Sequence, residues 1–350
     1  MGERDSGPTH ARALIPRPPS ADRPLAFVTG GTGFVGSHLA EELLRRGYAV
    51  RALVRSAPKW LEGLPVETVP GDLTDADALR RGVHGAALVA HVAGLTRART
   101  QAALDHANVD GTRALLAAVR QSGAAPRVLV TSSLEAMGPN RIGPDGRPIP
   151  ATEADVPRPV SMYGLSKARM EDAVRRDFGD LGATVVRPPA VYGPREADLY
   201  EMAKGAARGL FPVVGRDEVP RVSMVYVADL VRGMADLAEA DAARGQTYFV
   251  GTPGVAWAEV RAALEAAVGR RTLALRVPGR VIGAVGALAA RAGALVGTLP
   301  PLTRDKAEAA RHAWVCASDK AREAVGYAPE VGLVEGWAAT VAWYRQHGWL

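Results

Sequence analysis

The chain of 350 residues contains a single cysteine, Cys316, which excludes an intramolecular disulfide and fits a reducing compartment. No zinc-ligand spacing occurs, so no metal site is expected. Aromatic residues are scarce at 5%, whereas 38 glycines and 25 prolines predict many tight turns and close backbone approaches. The net charge of +6 comes without a long basic run. Arginines are scattered and sit beside acids, as where Glu41-Glu42 precede Arg45-Arg46, so nucleic acid is not an expected partner. Residues 1–23 are polar and lack the apolar centre of a secretory signal; they read as a disordered extension of a cytoplasmic protein. The apolar stretch 281–303 is broken by Arg291 into pieces shorter than the ~20 residues that a bilayer requires. It reads as a buried or substrate-covering segment and not as a transmembrane span.

What the chain does have is alternation. Short apolar runs at Leu25–Thr29, Ala49–Val54, 66–69, 87–92, Arg127–Thr131 and 183–186 read as strands. Helical patterns lie between them, notably at 109–121 and 166–178. Continuous apolar strands separated by helices predict a parallel, doubly wound α/β sheet of the Rossmann type. After residue 190 the pattern loosens into loop and helix, with a strand at 222–227, a helix at 229–239, a strand at 247–250 and a mostly helical remainder. The expected division is a dinucleotide-binding domain over 24–190 plus 220–250 and a smaller substrate domain over 191–219 plus 251–350.

The strongest motif is Thr29-Gly-Gly-Thr-Gly-Phe-Val-Gly36, between the first strand and the first helix. Gly30 permits the turn, Gly33 lets backbone amides approach a pyrophosphate, and Gly36 lets the helix pack on the sheet. Thr32, Phe34 and Val35 complete the cradle at a helix N-terminus, which favours an anion. Arg55 ends the second strand, where an NAD site would carry an acid; a guanidinium there suits a ribose 2′-phosphate and favours NADP over NAD, unless it is only a surface residue. Asp72, followed by Leu73, can accept from an adenine amino group, with a helix cap as its other reading and Asp75 as competitor for the cap.

Tyr163 and Lys167 stand at i and i+4, on one face of a helix. A phenol is a poor base at neutral pH; a neighbouring ammonium favours phenolate and lets it exchange a proton with a substrate hydroxyl or carbonyl. Thr131-Ser-Ser133 lies at the end of a parallel strand, where such sheets place their chemistry. A Pro/Gly-rich loop over 138–159 separates the two motifs and is long enough to border a pocket.

These motifs, with Asp72-Leu73, His91-Val-Ala-Gly94, Asn108-Val-Asp-Gly-Thr112 and Arg187-Pro-Pro-Ala-Val-Tyr-Gly-Pro194, resemble the extended short-chain dehydrogenase/reductase family, also called the NAD-dependent epimerase/dehydratase family. The resemblance implies Tyr163 as general acid/base, Lys167 on the nicotinamide ribose, and Ser133 as donor to the substrate oxygen, with Ser132 the second candidate. It implies Asn108 as a structural asparagine, Ala93 and Gly94 beneath the adenosine, and Pro188 to Val191 against the nicotinamide. Helix capping is the other reading for Asn108, and a rigid turn for Pro188-Pro189.

The sequence departs from sugar-nucleotide members, which often carry a tyrosine where Met137 stands and Phe-Asn after the arginine equivalent to Arg187. The 132–140 stretch resembles 3β-hydroxysteroid dehydrogenases, and the strand ending at Arg55 resembles dihydroflavonol reductases. Three functions stay open at this point. One is an NAD(P)-dependent oxidoreductase for a bulky, largely apolar secondary alcohol or ketone. The others are a nucleotide-sugar epimerase or dehydratase that recycles bound cofactor, and a nucleotide-binding scaffold without turnover. Small molecules are the expected partners, with homodimerisation open.

Overall fold

The computed structural model describes residues 23–213, 219–276 and 311–350. The expectations for residues 1–22 and for the 281–303 stretch fall outside them.

Seven strands form one parallel sheet. They are β1 (Leu25–Thr29), β2 (Ala49–Val54), β3 (Val66–Pro70), β4 (Ala86–His91), β5 (Arg127–Thr131), β6 (Thr184–Arg187) and β11 (Thr247–Phe249). Their order is β11-β6-β5-β4-β1-β2-β3. The chain runs outward from β1 to β3, then returns to β1's other side with β4, so the order reverses beside β1. Open α/β sheets bind ligands at the strand ends flanking such a reversal.

The apolar runs are continuous because both faces are covered. In β1, Ala26 and Val28 point into one core cluster and Phe27 into the other. In β4, Leu88 and Ala90 take the first side and Val89 the second. Helices α1 (Phe34–Arg45) and α7 (Val227–Glu239) cover the first face through Leu39, Leu43, Leu230 and Met234. Helices α2 (Ala76–Val83), α4 (Gly111–Gln121) and α5 (Met162–Asp177) cover the second through Leu79, Leu115, Leu116 and Met170. Each fully buried side chain of this size contributes ~1.5–3 kcal/mol relative to exposure.

Most boundaries match the sequence reading to within a residue or two. The helix expected at 166–178 starts four residues earlier, because Ser161 caps it by accepting from the Gly164 amide at 2.9 Å. The helix expected at 109–121 begins at Gly111 and is preceded by a π-helical turn, His106–Asp110, that joins it to α3 (Gln101–Asp105).

The strand expected at 222–227 is two strands. They are β9 (Pro220–Val222), antiparallel to β12 (Val255–Ala256), and β10 (Met224–Tyr226), parallel to β7 (Ala190–Tyr192). The chain changes partner at Ser223. β8 (Leu210–Val213) pairs with β13 (Leu273–Arg276) in the region read as loop and helix; Pro212 hides it from a strand search.

About half of the scarce aromatics gather in a third cluster under α6 (Tyr200–Ala207), α8 (Trp257–Val268) and α10 (Leu333–Gln346), where Tyr192 stacks on Trp337 at 5.0 Å. The 138–159 loop is pinned to the segment before α9 (Asp319–Val325): Asn140 Nδ2 donates to the Val315 carbonyl at 2.8 Å and the Ala151 amide does the same at 2.8 Å. Among the described residues, no helix is long and apolar enough to cross a membrane.

Candidate active site

β1 delivers the chain to Gly30, whose φ of +75° only glycine adopts readily. A Cβ there would lie 2.5 Å from the Ala93 amide nitrogen, so the turn lies flat against the exit of β4. At Gly36 a Cβ would lie 2.1 Å from the Gly30 carbonyl oxygen. Gly33 is the exposed N-cap of α1, in extended conformation, and no side chain caps the helix. The amides of the first turn, beginning at Phe34 and Val35, are thus presented to an anion. Thr32 is half-buried beside them. A cradle closed to side chains and open at a helix N-terminus fits a pyrophosphate.

Arg55 leaves β2 exposed, and Asp72 follows β3. Asp72 accepts from the Thr74 amide at 2.8 Å and the Thr74 hydroxyl at 2.6 Å. Those bonds hold its carboxyl below the usual range, and the Arg55 charge adds to the effect. Asp75, not Asp72, caps α2 by accepting from Ala78 at 2.9 Å. Leu73 packs on Gly111 at the start of α4, where a Cβ would come within 2.7 Å of it. Arg55 and Asp72 therefore share one edge of the cradle.

The candidate catalytic residues gather at the ends of β4 and β5 and on α5. Asn108 is fully buried. Its amide donates to the Leu95 carbonyl at 2.9 Å and to Ser166 Oγ at 2.8 Å, while its oxygen accepts from the Leu95 amide at 2.8 Å. It is a brace between the β4 exit and α5, not a cap. A Cβ on Gly94 would lie 2.9 Å from Asn108 Oδ1 and 3.3 Å from Lys167 Nζ, so these three residues meet. Behind them His91 bridges Thr29 at 2.7 Å and Thr112 at 2.8 Å, and burial holds its imidazole neutral, down to about 3.

Lys167 is buried and donates to the Thr131 carbonyl at 2.8 Å. Burial pushes its ammonium down to about 8, against the opposing pull of Glu171. Tyr163, one turn earlier, is half-buried. Burial raises its phenol well above the ordinary value; Glu135 and then Asp198 add to this, and a hydrogen bond with Ser133 opposes it.

Ser133 also accepts from the Glu135 amide at 3.1 Å. Ser132 is engaged elsewhere: it is buried and donates to Glu171, which grips Arg187 through bonds of 2.9 and 2.5 Å. Of the two serines, Ser133 faces the tyrosine. The Pro188 carbonyl accepts from the Leu134 amide at 2.9 Å, which brings 188–191 alongside the Ser133 turn, with Val191 half-buried in β7.

Sequence reasoning missed Glu135 and Glu171. Glu171 had a signal, because Tyr163, Lys167 and Glu171 repeat every fourth residue along one helix face. The arginines considered for phosphate binding are dispersed. Arg195 is tied to Ser37 at 3.0 Å and Glu41 at 2.6 Å. Arg208 is exposed, Arg221 buries its Nε without a partner among the described residues, and Arg216 lies outside them.

A glycine cradle after β1, beside a cluster of hydroxyl and titratable side chains at the ends of β4 and β5 and on α5, is the arrangement of a dinucleotide-binding Rossmann fold at the sheet's switch point. The NAD dependent epimerase/dehydratase family model matches residues 26–251, and the chain belongs to that family. It is an NAD(P)-dependent dehydrogenase/reductase or epimerase of the extended short-chain type. The chain is 34% identical to a ceramide reductase of Caulobacter vibrioides, across 94% of this chain and 96% of that one. It is 31% identical to a 2-alkyl-3-oxoalkanoate reductase of Stenotrophomonas maltophilia, across 89% and 96% of the two chains. The crystal structure of gox2253 superposes with a TM-score of 0.76 at 28% identity, covering 94% of this chain and 100% of that one. Steroid-dehydrogenase and dihydroflavonol-reductase relatives are also among the matches.

Proposed function

We propose that this protein reduces the carbonyl group of a bulky, largely apolar ketone to a secondary alcohol, with NADPH as the favoured reductant. The observation that carries the reading is the cluster in which Ser133 meets the Tyr163 hydroxyl while Lys167, one turn on, lies against Gly94 and Asn108. A bound reduced nicotinamide supplies the hydride to the carbonyl carbon. Tyr163 gives its proton to the carbonyl oxygen, and Ser133 holds that oxygen by a hydrogen bond. Lys167 would anchor the nicotinamide ribose, and its ammonium would stabilise the phenolate that Tyr163 becomes until water returns the proton. Ala93, Gly94, Pro188 and Val191 would border the dinucleotide, and Arg55 with Asp72 would take its adenosine end, the guanidinium selecting the 2′-phosphate.

Apolar side chains exposed on the segments that flank the site support an apolar substrate. Leu95 follows β4, and Ile142, Ile149, Val156 and Val160 lie on the stretch between Ser133 and Tyr163. Reductases acting on a ceramide and on a 2-alkyl-3-oxoalkanoate, by their names, lie in the same direction. The substrate part is 191–219 with 251–350, set against a dinucleotide part of 24–190 with 220–250, in a cytoplasmic enzyme.

The unpartnered Arg221 Nε is the observation that favours the second reading, a nucleotide-sugar epimerase. The deciding experiment incubates purified protein with NADPH and a long-chain 3-oxo lipid. Loss of reduced nicotinamide should match alcohol formed, one to one. Interconversion of UDP-sugars without net cofactor change, together with tight UDP binding lost in Arg221→Ala, would overturn the proposal.

A further inference from the structure

The mechanism above leaves one charged side chain next to the phenol unexplained. Glu135 sits on the short helical turn Leu134–Ala136 that follows Ser133. Its carboxylate accepts from Ser161 Oγ at 2.6 Å. Ser161 in turn accepts from the Gly164 amide at 2.9 Å, which is the cap of α5 one residue past Tyr163. The Glu135 amide donates to Ser133 Oγ at 3.1 Å. Its carbonyl lies so close to Gly164 that a Cβ there would come within 2.3 Å. One residue thus joins the serine turn to the first turn of the tyrosine helix through its amide, its carbonyl contact and its carboxylate.

We propose that Glu135 is a positioning residue for Ser133 and Tyr163, acting through the cap of α5 by geometry and on the phenol by charge. The inference rests on the reductase reading for its direction: a reductase needs Tyr163 as the proton donor. The negative charge of the Ser161-bound carboxylate disfavours phenolate and keeps that proton in place.

The charged groups around Tyr163 come from four places. Glu135 comes from the serine turn and Asp198 from the loop after β7, while Lys167 lies on α5 itself. Arg97, from the loop after β4, stands 3.6 Å from Asp198. Glu135 ranks ahead of Asp198 in its effect on the phenol. A residue that only braced the two turns would act on the phenol through the Ser133 bond, whose loss raises it, whereas loss of the Glu135 charge lowers it.

The test needs no substrate, so it stays informative whatever the enzyme reduces. Wild-type protein, E135Q and E135A are each saturated with the oxidised dinucleotide, and tyrosinate absorbance is followed as pH rises. The same variants carrying Tyr163→Phe are subtracted to isolate the one phenol. E135Q keeps an acceptor for Ser161 and loses the charge; its Tyr163 titration should move to lower pH by about one unit at an unchanged Tm. E135A loses the brace as well, so its Tm should fall and its displacement should be smaller, because a loosened Ser133 bond pushes the phenol back up. A Tyr163 titration in E135Q that superimposes on wild type overturns the proposal, and E135Q decides the matter even where E135A fails to fold.

Discussion

Replacing Gly36 with alanine adds a single methyl group at the tightest point of the cradle. The new Cβ would sit 2.1 Å from the Gly30 carbonyl oxygen and 2.6 Å from its carbon. Ordinary contact begins near 3.4 Å, so α1 and the turn must part by more than an ångström. Neither side yields easily. The turn is held against β4, where the Val92 amide donates to the Thr29 carbonyl at 3.1 Å, and α1 is fixed by the buried Leu39 and Leu43. Overpacking of rigid backbone costs ~1–3 kcal/mol, and the upper end applies here. For a chain of this size that lowers Tm by roughly 5 °C. The displaced helix N-terminus should also weaken dinucleotide binding about tenfold or more. Differential scanning calorimetry and isothermal titration with NADPH measure the two effects. Gly179→Ala is the control, because a Cβ there meets nothing within 4 Å. A Gly36→Ala protein with unchanged Tm and unchanged affinity would refute the close approach of α1 to the turn.

Tyr163→Phe should leave dinucleotide affinity nearly intact and cut turnover ~10²-fold or more, read by steady-state kinetics beside titration calorimetry. Arg55→Ser should weaken NADP by ~1.5–3 kcal/mol and change NAD little; equal losses for both would make Arg55 a surface residue. Glu171→Ala strands the Arg187 guanidinium in the core, and urea unfolding should show a loss of ~3–5 kcal/mol. Lys167 supplies a pH dependence. Below about 8 its ammonium is charged in both states and the folded protein bears the full cost of burying it. As pH rises from about 8 toward the ordinary 10.5, the folded state sheds its proton first, so this group's contribution to stability rises with pH in that window. Urea midpoints taken across it should show that slope in wild type and not in Lys167→Met.

The local pattern of residues determined much of this molecule. Apolar runs alternating with helical periodicity specify a parallel sheet, since only strands covered on both faces can be apolar throughout. The glycine spacing 30–33–36 specifies the cradle, because Gly30 and Gly36 answer to steric demands that no other residue meets and Gly33 keeps the helix N-terminus open. Tyr163 and Lys167 could be paired on one face from their separation alone.

Contacts between residues distant in sequence were decided only by the tertiary structure. Ser132 and Ser133 are chemically identical neighbours; what separates their roles is Glu171, 39 positions away from Ser132, which claims one hydroxyl and leaves the other beside the tyrosine. Asn108 could have been a cap until Leu95 and Ser166 closed around it. The ionisation of Tyr163 follows from its burial and from Glu135, 28 positions earlier, a proximity created by the packing of the serine turn onto α5. Electrostatic influence depends on distance and solvent exclusion in space, and neither is encoded in separation along the chain.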